Sequence, residues 1–498
     1  MEKNSNGVVG GVAPYSKKGI TTRQKCKKNT VKINFTPAPH QTEVINYFSS
    51  SPYKGILLFH KLGSGKTYTA IMTAVKMIKE QTVKKIYVFT PGTLRSGWIK
   101  EFCSISDVPN DILENVVFIT SNYDVSNAVE MMNFDDSIVI VDEVHNIMNG
   151  VKNDTKIAMT IYNKLYTSKC RLILLSGTPV INGGESILIK KLIKPEGGSD
   201  FSGIISYFPG QEGMYPTVIT HEPVKCVMLP GQAVEYEYMY KLEIISIAQG
   251  PPPESLKFTN PIEYASKYEF WLMALKFTNS LKFSNFFYGV YDASRIELPD
   301  VSESSGGWIK DDTFDDRKLL TEFSPKFTRL ILNILKNFNS KHMVYTWFKT
   351  KAGVYLLHTI LNKCGIKAEM FSGDLTDDER HRMLSKFNSE KNRDGEYIKV
   401  LLVTSAGAEG ISLLETNNVH ILESSTKENK TRQAIGRVVR YKSHYNMPKE
   451  RQYVNVYRYW SVINFEKCVD EILYERGLKQ NDKLEKEINE LISNKIEA

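Results

Sequence analysis

The chain has 498 residues, of which 42% are hydrophobic and 24% charged, and its formal net charge is +8. These values are ordinary for a soluble globular protein and allow two or three domains. No apolar run approaches the roughly 18 residues of a membrane span, and the N-terminus lacks the apolar core of a signal peptide, so we expect no membrane partner.

The positive charge is concentrated at the N-terminus. Residues 1–34 hold eight basic side chains against a single acid, Glu2, a net charge of +7, so residues 35–498 carry only about +1. We expect residues 1–34 to form a disordered basic tail, either a phosphate-binding arm or a solvated leader.

The cysteines suit a reducing compartment. All six are scattered along the chain, and none forms a C-x-x-C pair. This spacing predicts neither a zinc module nor a disulfide framework.

From about Phe35, short apolar runs alternate with helical segments. The runs are KGILLFH (54–60), KKIYVFT (84–90), NVVFIT (115–120), SIVIVDE (137–143) and CRLILLSG (170–177). Because each run is continuously apolar, we expect buried parallel strands. Repeated strand–helix units predict an α/β domain, a parallel sheet flanked by helices, over residues 35–195.

A second α/β series follows an irregular segment. Residues 196–322 are rich in Gly, Pro and acidic side chains, which predicts a partly helical insertion and linker. A second parallel sheet is expected over residues 323–480. Its runs are KHMVYTWF (341–348), IKAEMFSG (366–373), YIKVLLVT (397–404), NVHILES (418–424) and QYVNVYRYW (452–460).

Residues 481–498 predict a C-terminal helix with one apolar face. That face holds Leu484, Ile488, Leu491 and Ile492. The helix either docks on the core or binds a partner helix.

FHKLGSGKTYTA (59–70) follows an apolar strand and opens a helix, as a phosphate-binding loop does. Its glycines allow backbone N–H groups to surround phosphates at a helix N-terminus. Lys66 is placed to reach the β- and γ-phosphates of ATP, and Thr67 to bind Mg²⁺. The candidate nucleotide-binding residues are His60, Lys61, Leu62, Gly63, Ser64, Gly65, Lys66 and Thr67.

SIVIVDEVHN (137–146) is an apolar strand that ends in two carboxylates. Asp142 is placed to hold Mg²⁺ through water, and Glu143 to orient and deprotonate the attacking water. His145 either couples this site to a moving element or packs locally.

LLSGTPV (174–180) is a further strand that runs into a turn. Either Ser176 and Thr178 link the ATP site to bound nucleic acid, or they simply form the turn.

TRQAIGRVVRYK (431–442) contains Arg437 and Arg440, which are three residues apart and are therefore expected on one helix face. Two arginines suit a γ-phosphate as arginine fingers do, with Gln433 one turn earlier. The alternative is a salt-bridged surface helix.

TSAGAEGISL (404–413) is a glycine-rich turn at the end of a strand. Thr404 is placed to touch a nucleic-acid phosphate, and Gly410 lies on the way to the domain interface.

Together these stretches resemble the ordered motifs of superfamily 2 helicases, over nearly the whole chain. HKLGSGKT resembles motif I, DEVH motif II, SGTP motif III, VYTWF motif IV, TSAGAEGISL motif V and QAIGRVVR motif VI. The resemblance implies that Gln41 reads adenine and that His60 can replace the first loop glycine. It also implies nucleic-acid or coupling roles for Thr93, His145, Ser176, Thr178 and Thr404.

Within the superfamily, TPGTLRSGWIKEF (90–102) and FSGDLTDDERHRMLSKFN (371–388) are similar to Swi2/Snf2-like translocases. GIISYFPGQEGMYP (203–216) and YTWFKTKAGVYLL (345–357) resemble nucleic-acid-dependent ATPases of large cytoplasmic DNA viruses, of the poxvirus nucleoside triphosphatase I and early transcription factor small subunit type. This resemblance implies viral transcription, partners such as RNA polymerase, and a place in the host cytoplasm or the virion.

The resemblance further implies two RecA-like lobes with ATP between them. Three hypotheses remain open: a DNA-dependent ATPase and translocase, a helicase that separates RNA or DNA strands, and a non-catalytic subunit built on the helicase fold. Intact Lys66, Glu143 and Arg437 count against the third.

Overall fold

The computed structural model describes residues 20–21, 26, 32–109, 112, 115–120, 125–180, 183–195, 200–285, 324–349, 352–404, 407, 411–426, 428–464 and 466–496. Most of the expected basic tail and Gly410 lie outside these residues. The chain divides into two compact units, residues 1–209 with 486–498, and residues 210–485. The finer domain boundaries expected from the sequence stay a prediction.

The first unit is a parallel sheet flanked by helices. Its strands are β1 (Ile20–Thr21), β2 (Gly55–His60), β3 (Lys85–Phe89), β4 (Val116–Ile119), β5 (Ser137–Val141), β6 (Arg171–Ser176) and β7 (Ile205–Phe208). Its helices are α1 (Pro39–Ser50), α2 (Lys66–Lys79), α3 (Arg95–Ser104), α4 (Val125–Met131), α5 (His145–Lys152), α6 (Lys156–Thr167) and α7 (Glu185–Ile193).

The strand order places the candidate motifs at one edge of this sheet. The order is β1-β4-β3-β5-β6-β2-β7, and only β1 is antiparallel to its neighbour. All five residues of β5 are buried between β3 and β6. Because β2, β5 and β6 are parallel, the turns at their carboxyl ends lie together at the same edge.

The second unit contains another parallel sheet. Its strands are β8 (Thr217–Thr220), β9 (Val224–Val227), β10 (Lys341–Thr346), β11 (Ala368–Phe371), β12 (Val400–Thr404), β13 (Thr416–Ile421) and β14 (Tyr453–Val462). The order is β11-β12-β10-β13-β14-β8, with β9 also paired to β14. The predicted fold, two parallel α/β sheets in tandem, is therefore confirmed.

The helices of the second unit include a group that precedes most of its sheet. This group spans residues 230–285, within the segment expected to be a partly helical insertion. The helices are α8 (Pro230–Gln249), α9 (Glu254–Thr259), α10 (Pro261–Ala274), α11 (Thr278–Asn285), α12 (Pro325–Lys336), α13 (Val354–Lys363), α14 (Asp377–Phe387), α15 (Glu428–Ile435) and α16 (Val469–Ser493).

Helix α16 ends in the first unit, to which residues 486–498 belong. Glu487 accepts hydrogen bonds from the backbone N–H of Gly184 at 2.7 Å and of Ser186 at 3.0 Å, at the start of α7. Leu491 is fully buried. A carboxylate at a helix N-terminus is stabilising, so these contacts favour docking on the core over binding a partner helix.

The structure corrects the prediction that no disulfide is present. Cys26 and Cys103 are bonded, with their Cα atoms 5.5 Å apart and a sequence separation of 77. The N-terminal segment reaches Cys103 because Ile33 pairs with Ile105 just after α3. Local spacing cannot reveal such a long-range pair. Within the described residues, no helix is long and apolar enough to cross a membrane.

Candidate nucleotide-binding and hydrolysis site

The loop between β2 and α2 has the backbone of a phosphate cradle. Gly63 and Gly65 adopt positive φ angles of 82° and 80°, and α2 begins directly at Lys66. Lys66 Nζ donates to the carbonyl oxygen of His60 at 2.8 Å and to that of Lys61 at 3.4 Å. The ammonium group is thus folded over the loop at the N-terminus of a helix, where anions are favoured.

The His60 side chain does not belong to the cradle. Its Nε2 lies 2.8 Å from Ser206 Oγ, and the imidazole is buried. Burial lowers the pKa of His60 well below its ordinary value, and the charge of Lys66 lowers it further. The ring is therefore neutral at pH 7, and the part of His60 that contacts the loop lysine is its carbonyl group.

Gln41, from α1, lies against the same loop. Its Nε2 is 3.3 Å from the carbonyl oxygen of Ser64 and 3.4 Å from that of Gly65, while its Oε1 accepts from Ala38 N–H at 2.8 Å. His40 also contacts Ser64, at 3.2 Å from Nε2 to the carbonyl oxygen. The amide expected to read adenine is thus positioned by the phosphate loop itself.

Gly65→Ala should weaken ATP binding about tenfold or more, because a left-handed backbone strains any residue with a Cβ. The added Cβ would also lie 2.3 Å from Gln41 Nε2. Gly97→Ala is the matched control, since a Cβ there meets nothing within 4 Å. Titration of each variant with a fluorescent ATP analogue tests this, and equal affinities would contradict it.

Asp142 and Glu143 follow β5 at the same sheet edge. Burial, and then the charge of Glu143, raise the pKa of Asp142 to about 6. The indole of Trp98, the charge of Lys66 and the hydroxyl of Thr90 oppose this rise. The charge of Lys66 thus reaches Asp142, and the loop and the carboxylate follow parallel strands of one sheet.

Glu143 has a strained backbone, with φ at +49°. Its neighbours are anchored to the sheet, since Asp142 N–H donates to Phe89 O at 2.8 Å and Val144 N–H to Leu175 O at 3.0 Å. Left-handed conformations in residues other than glycine concentrate at functional sites. The sheet thus holds Glu143 in an unusual conformation at the end of β5.

His145 joins this carboxylate to the turn after β6. Its Nδ1 lies 3.4 Å from Glu143 Oε2 and 3.0 Å from Ser176 Oγ, and both His145 and Ser176 are buried. Ser176 Oγ accepts from Thr178 N–H at 3.0 Å. Of the two roles considered for His145, this geometry favours coupling, because the ring bridges two motifs.

Oxygen donors suited to Mg²⁺ are present here. The Thr67 hydroxyl, at the start of α2, and the Asp142 carboxylate are hard ligands of the kind Mg²⁺ prefers, with phosphates and water completing its shell. Among the described residues, no cluster of three or more His, Cys, Asp or Glu side chains forms a metal site. One carboxylate and one hydroxyl fit a cation that arrives with a nucleotide.

The arginines of the second unit require a correction. The shared helix face expected for Arg437 and Arg440 is wrong, because α15 ends at Ile435. Gly436 follows, and tight backbone turns replace the helix, with Arg437 N–H donating to Ala434 O at 3.0 Å. Glycine disfavours helix continuation, which explains this early end.

The two arginines differ in their surroundings. Arg437 is 7% exposed, whereas Arg440 is half-buried. Arg440 Nη1 donates to Ser412 Oγ at 2.6 Å, and its Nε donates to Gly436 O at 3.1 Å. Arg440 therefore ties the turn after α15 to the segment that follows β12.

The remaining candidates lie as follows. Thr404 ends β12, is buried, and its Oγ1 accepts from Gly407 N–H at 3.3 Å. Gln433 is half-buried in α15, and Thr93 lies in a 3₁₀ turn, Gly92–Leu94. The structure thus places Thr404 and Gln433 in the second unit and Thr93 in the first.

Sequence reasoning missed three groups at this edge. Trp98 Nε1 and Thr90 Oγ1 both donate to Asp142 Oδ2, at 2.8 Å and 3.2 Å. The rings of His40 and Phe208 stack with centroids 3.6 Å apart, beside the loop. Trp98 lies 44 residues before Asp142, so no local sequence pattern predicts their hydrogen bond. Contacts of this kind become visible only in the folded structure.

Two family models match the chain, each over one unit. The model "Type III restriction enzyme, res subunit" matches residues 34–181, and "Helicase conserved C-terminal domain" matches residues 325–442. The first match includes the loop, the carboxylates and the turn after β6; the second includes both arginines. Together the two matches support the predicted superfamily 2 helicase or ATPase. The protein is an ATP-hydrolysing enzyme of a family that acts on nucleic acid.

Similar curated proteins come from large DNA viruses. Two from Acanthamoeba polyphaga mimivirus are named as ATP-dependent RNA helicases. One is 25% identical over 522 residues, covering 90% of this chain and 86% of the relative. The other is 24% identical over 440 residues, covering 85% and 88%. A protein of Invertebrate iridescent virus 3, named as a helicase, is 24% identical over 504 residues, covering 85% of this chain and 49% of the relative.

Two solved structures are similar at 16% identity. The Pyrococcus furiosus Hef helicase domain has a TM-score of 0.48, with 88% of this chain and 98% of that chain covered. The Sulfolobus solfataricus SWI2/SNF2 ATPase core in complex with dsDNA has a TM-score of 0.34, with 93% and 95% covered.

Proposed function

We propose that the protein is a nucleic-acid-dependent ATPase that couples ATP hydrolysis to translocation on DNA during viral transcription. The contact chain from Glu143 through His145 to Ser176 carries the proposal. It joins the carboxylate placed for hydrolysis to a turn assigned to nucleic-acid coupling. An ATPase that did not respond to bound nucleic acid would not need a contact between these two motifs.

In this proposal each residue has a defined task. Lys66 would hold the β- and γ-phosphates, while Thr67 and Asp142 would hold Mg²⁺, which would supply positive charge against the phosphates. Glu143 orients the attacking water and accepts its proton.

The second unit supplies the other half of the chemistry. Arg437 and Arg440 stabilise the charge that develops on the transferred phosphoryl group. Gln433 and Gly410 contribute to nucleotide binding, and Gln41 reads the adenine.

Contacts to the strand are proposed to be mainly with phosphates, through Thr93, Thr178 and Thr404. Binding should therefore weaken as salt rises and show little sequence preference. The basic N-terminal segment is either a further phosphate contact or a leader. The virus-like motifs support a role beside RNA polymerase or transcription factors, in the host cytoplasm or the virion.

A second candidate is an ATP-dependent helicase that separates RNA strands. The names of the two mimivirus relatives favour it. The chemistry at Lys66, Asp142 and Glu143 would be the same, and only the mechanical output would differ.

The deciding experiment measures ATPase rate in parallel with single-stranded DNA, duplex DNA and RNA. We expect the largest stimulation with DNA, together with streptavidin displacement from a biotinylated strand and no duplex separation. Stimulation by RNA with duplex unwinding would support the helicase instead. ATP hydrolysis absent in every arm would overturn both and favour a non-catalytic subunit.

A further inference from the structure

The carboxylate of Asp142 is held by an indole. Trp98 Nε1 donates to Asp142 Oδ2 at 2.8 Å, and Thr90 Oγ1 donates to the same oxygen at 3.2 Å. Trp98 is only 2% exposed, so water does not compete for its N–H group. The hydrogen bonds from Trp98 and Thr90 thus converge on Oδ2 and orient the carboxylate.

Trp98 is itself held firmly in the core. It shares the buried face of α3 with Phe102 and Cys103. The Trp98 and Phe102 ring centroids are 6.4 Å apart, and Phe102 meets Phe118 of β4 edge to face at 6.2 Å. Such packing restricts the indole to one orientation, so its N–H can fix the rotamer of Asp142.

The same helix begins at a turn with an expected role in nucleic-acid binding. The 3₁₀ turn Gly92–Leu94 runs without a break into α3, and Leu94 N–H donates to Pro91 O at 2.9 Å. Trp98 therefore lies one helical turn beyond the segment that contains Thr93. Helix α3 therefore connects this turn directly to the indole.

We propose that Trp98 is a positioning residue: it orients Asp142 for a magnesium-bound nucleotide and relays occupancy of the turn at residues 91–94 to that carboxylate. This inference rests on the proposed function, since it assigns Asp142 to Mg²⁺. It adds a second connection between the bound nucleic-acid strand and the metal site, besides the contacts of His145. Sequence patterns assign no such role to Trp98.

Trp98→Phe tests the relay, because it keeps an aromatic ring and removes the N–H donor together with the smaller part of the buried indole. Affinity for ADP in the presence of Mg²⁺ should fall about tenfold, the usual effect of losing one hydrogen bond to a charged group. Affinity for ADP with the metal chelated should stay at the wild-type value. Calorimetry measures both without any turnover, and the stimulation of ATPase by nucleic acid should fall in parallel.

Phe134→Leu is the control for lost core packing in the same unit. Phe134 is fully buried and packs against Tyr87 and Phe89, so thermal stability should drop while the effect of Mg²⁺ on ADP affinity is retained. Equal losses in both variants would show a merely structural role and overturn the proposal. So would an unchanged Mg²⁺ effect in Trp98→Phe.

Thr90→Val keeps the inference testable if Trp98→Phe does not fold. It removes the weaker donor to Asp142 Oδ2 and should reduce the Mg²⁺ effect in the same direction, by less. Failure of the proposed function looks different, because the wild-type protein would then either hydrolyse no ATP or be stimulated by RNA and unwind duplexes. The calorimetric comparison with and without Mg²⁺ would still report on Asp142 in that case.

Discussion

Glu143→Gln should lower nucleic-acid-stimulated ATP turnover about 100- to 10,000-fold, the range associated with loss of a general base. Glutamine has almost the same shape but cannot accept a proton from water. The sheet anchors Asp142 and Val144 on either side, so the strained backbone at φ +49° should persist in the variant. ATP affinity should therefore remain close to that of the wild type. Steady-state kinetics and equilibrium binding measure the two effects separately.

Glu80→Gln provides the control for this substitution. Glu80 is an exposed residue at the end of α2, 3.9 Å from Lys76 in an ion pair of the kind that contributes little. Its variant should hydrolyse ATP at the wild-type rate. If Glu143→Gln also kept full turnover, another group would have to act as the base, and the proposed mechanism would fail.

The fold could be predicted from the sequence because buried strands have a distinct apolar pattern. β5 and β6 are apolar nearly throughout, which is the pattern of a sheet covered on both faces. Once the strands are parallel, their carboxyl ends share an edge, so Lys66, Asp142 and Ser176 are expected near one another. Chain order and strand direction together therefore predict most of the candidate site in the first unit.

Short and exposed strands were harder to predict from the sequence. β8 and β9 have four residues each, and all of β8 is exposed. Neither strand therefore has the run of buried apolar residues that would predict it. Both pair with β14, although the sequence suggested an insertion there. A strand held mainly by backbone hydrogen bonds carries little compositional signal.

Contacts between residues that are distant in sequence were also not predicted. The spacing of Arg437 and Arg440 fits a helix, yet Gly436 ends α15 before either residue. The bond from Trp98 to Asp142 depends on the orientation of α3 relative to β5. Such contacts arise from tertiary packing, which periodicity does not encode.

Lys66→Ala should abolish detectable ATP hydrolysis, with a loss of about a hundredfold to a thousandfold or more. The Lys66 ammonium lies over the phosphate loop, bonded to the carbonyls of His60 and Lys61. A bound nucleotide would exchange these neutral acceptors for charged phosphate oxygens, which form stronger hydrogen bonds. Alanine removes the charge and the donor together, so both ATP affinity and turnover should fall.

Lys79→Ala is the matched control for Lys66→Ala, since both lysines belong to α2 and Lys79 is its last residue. The two lysines are the first and last residues of this helix, roughly 20 Å apart, which is beyond the range at which a surface charge acts strongly at physiological salt. Lys79→Ala should therefore keep wild-type kinetics. Loss of activity in both variants would indicate damage to the helix rather than to phosphate binding. Persistent turnover in Lys66→Ala, with the control unchanged, would contradict the role proposed for Lys66 in catalysis.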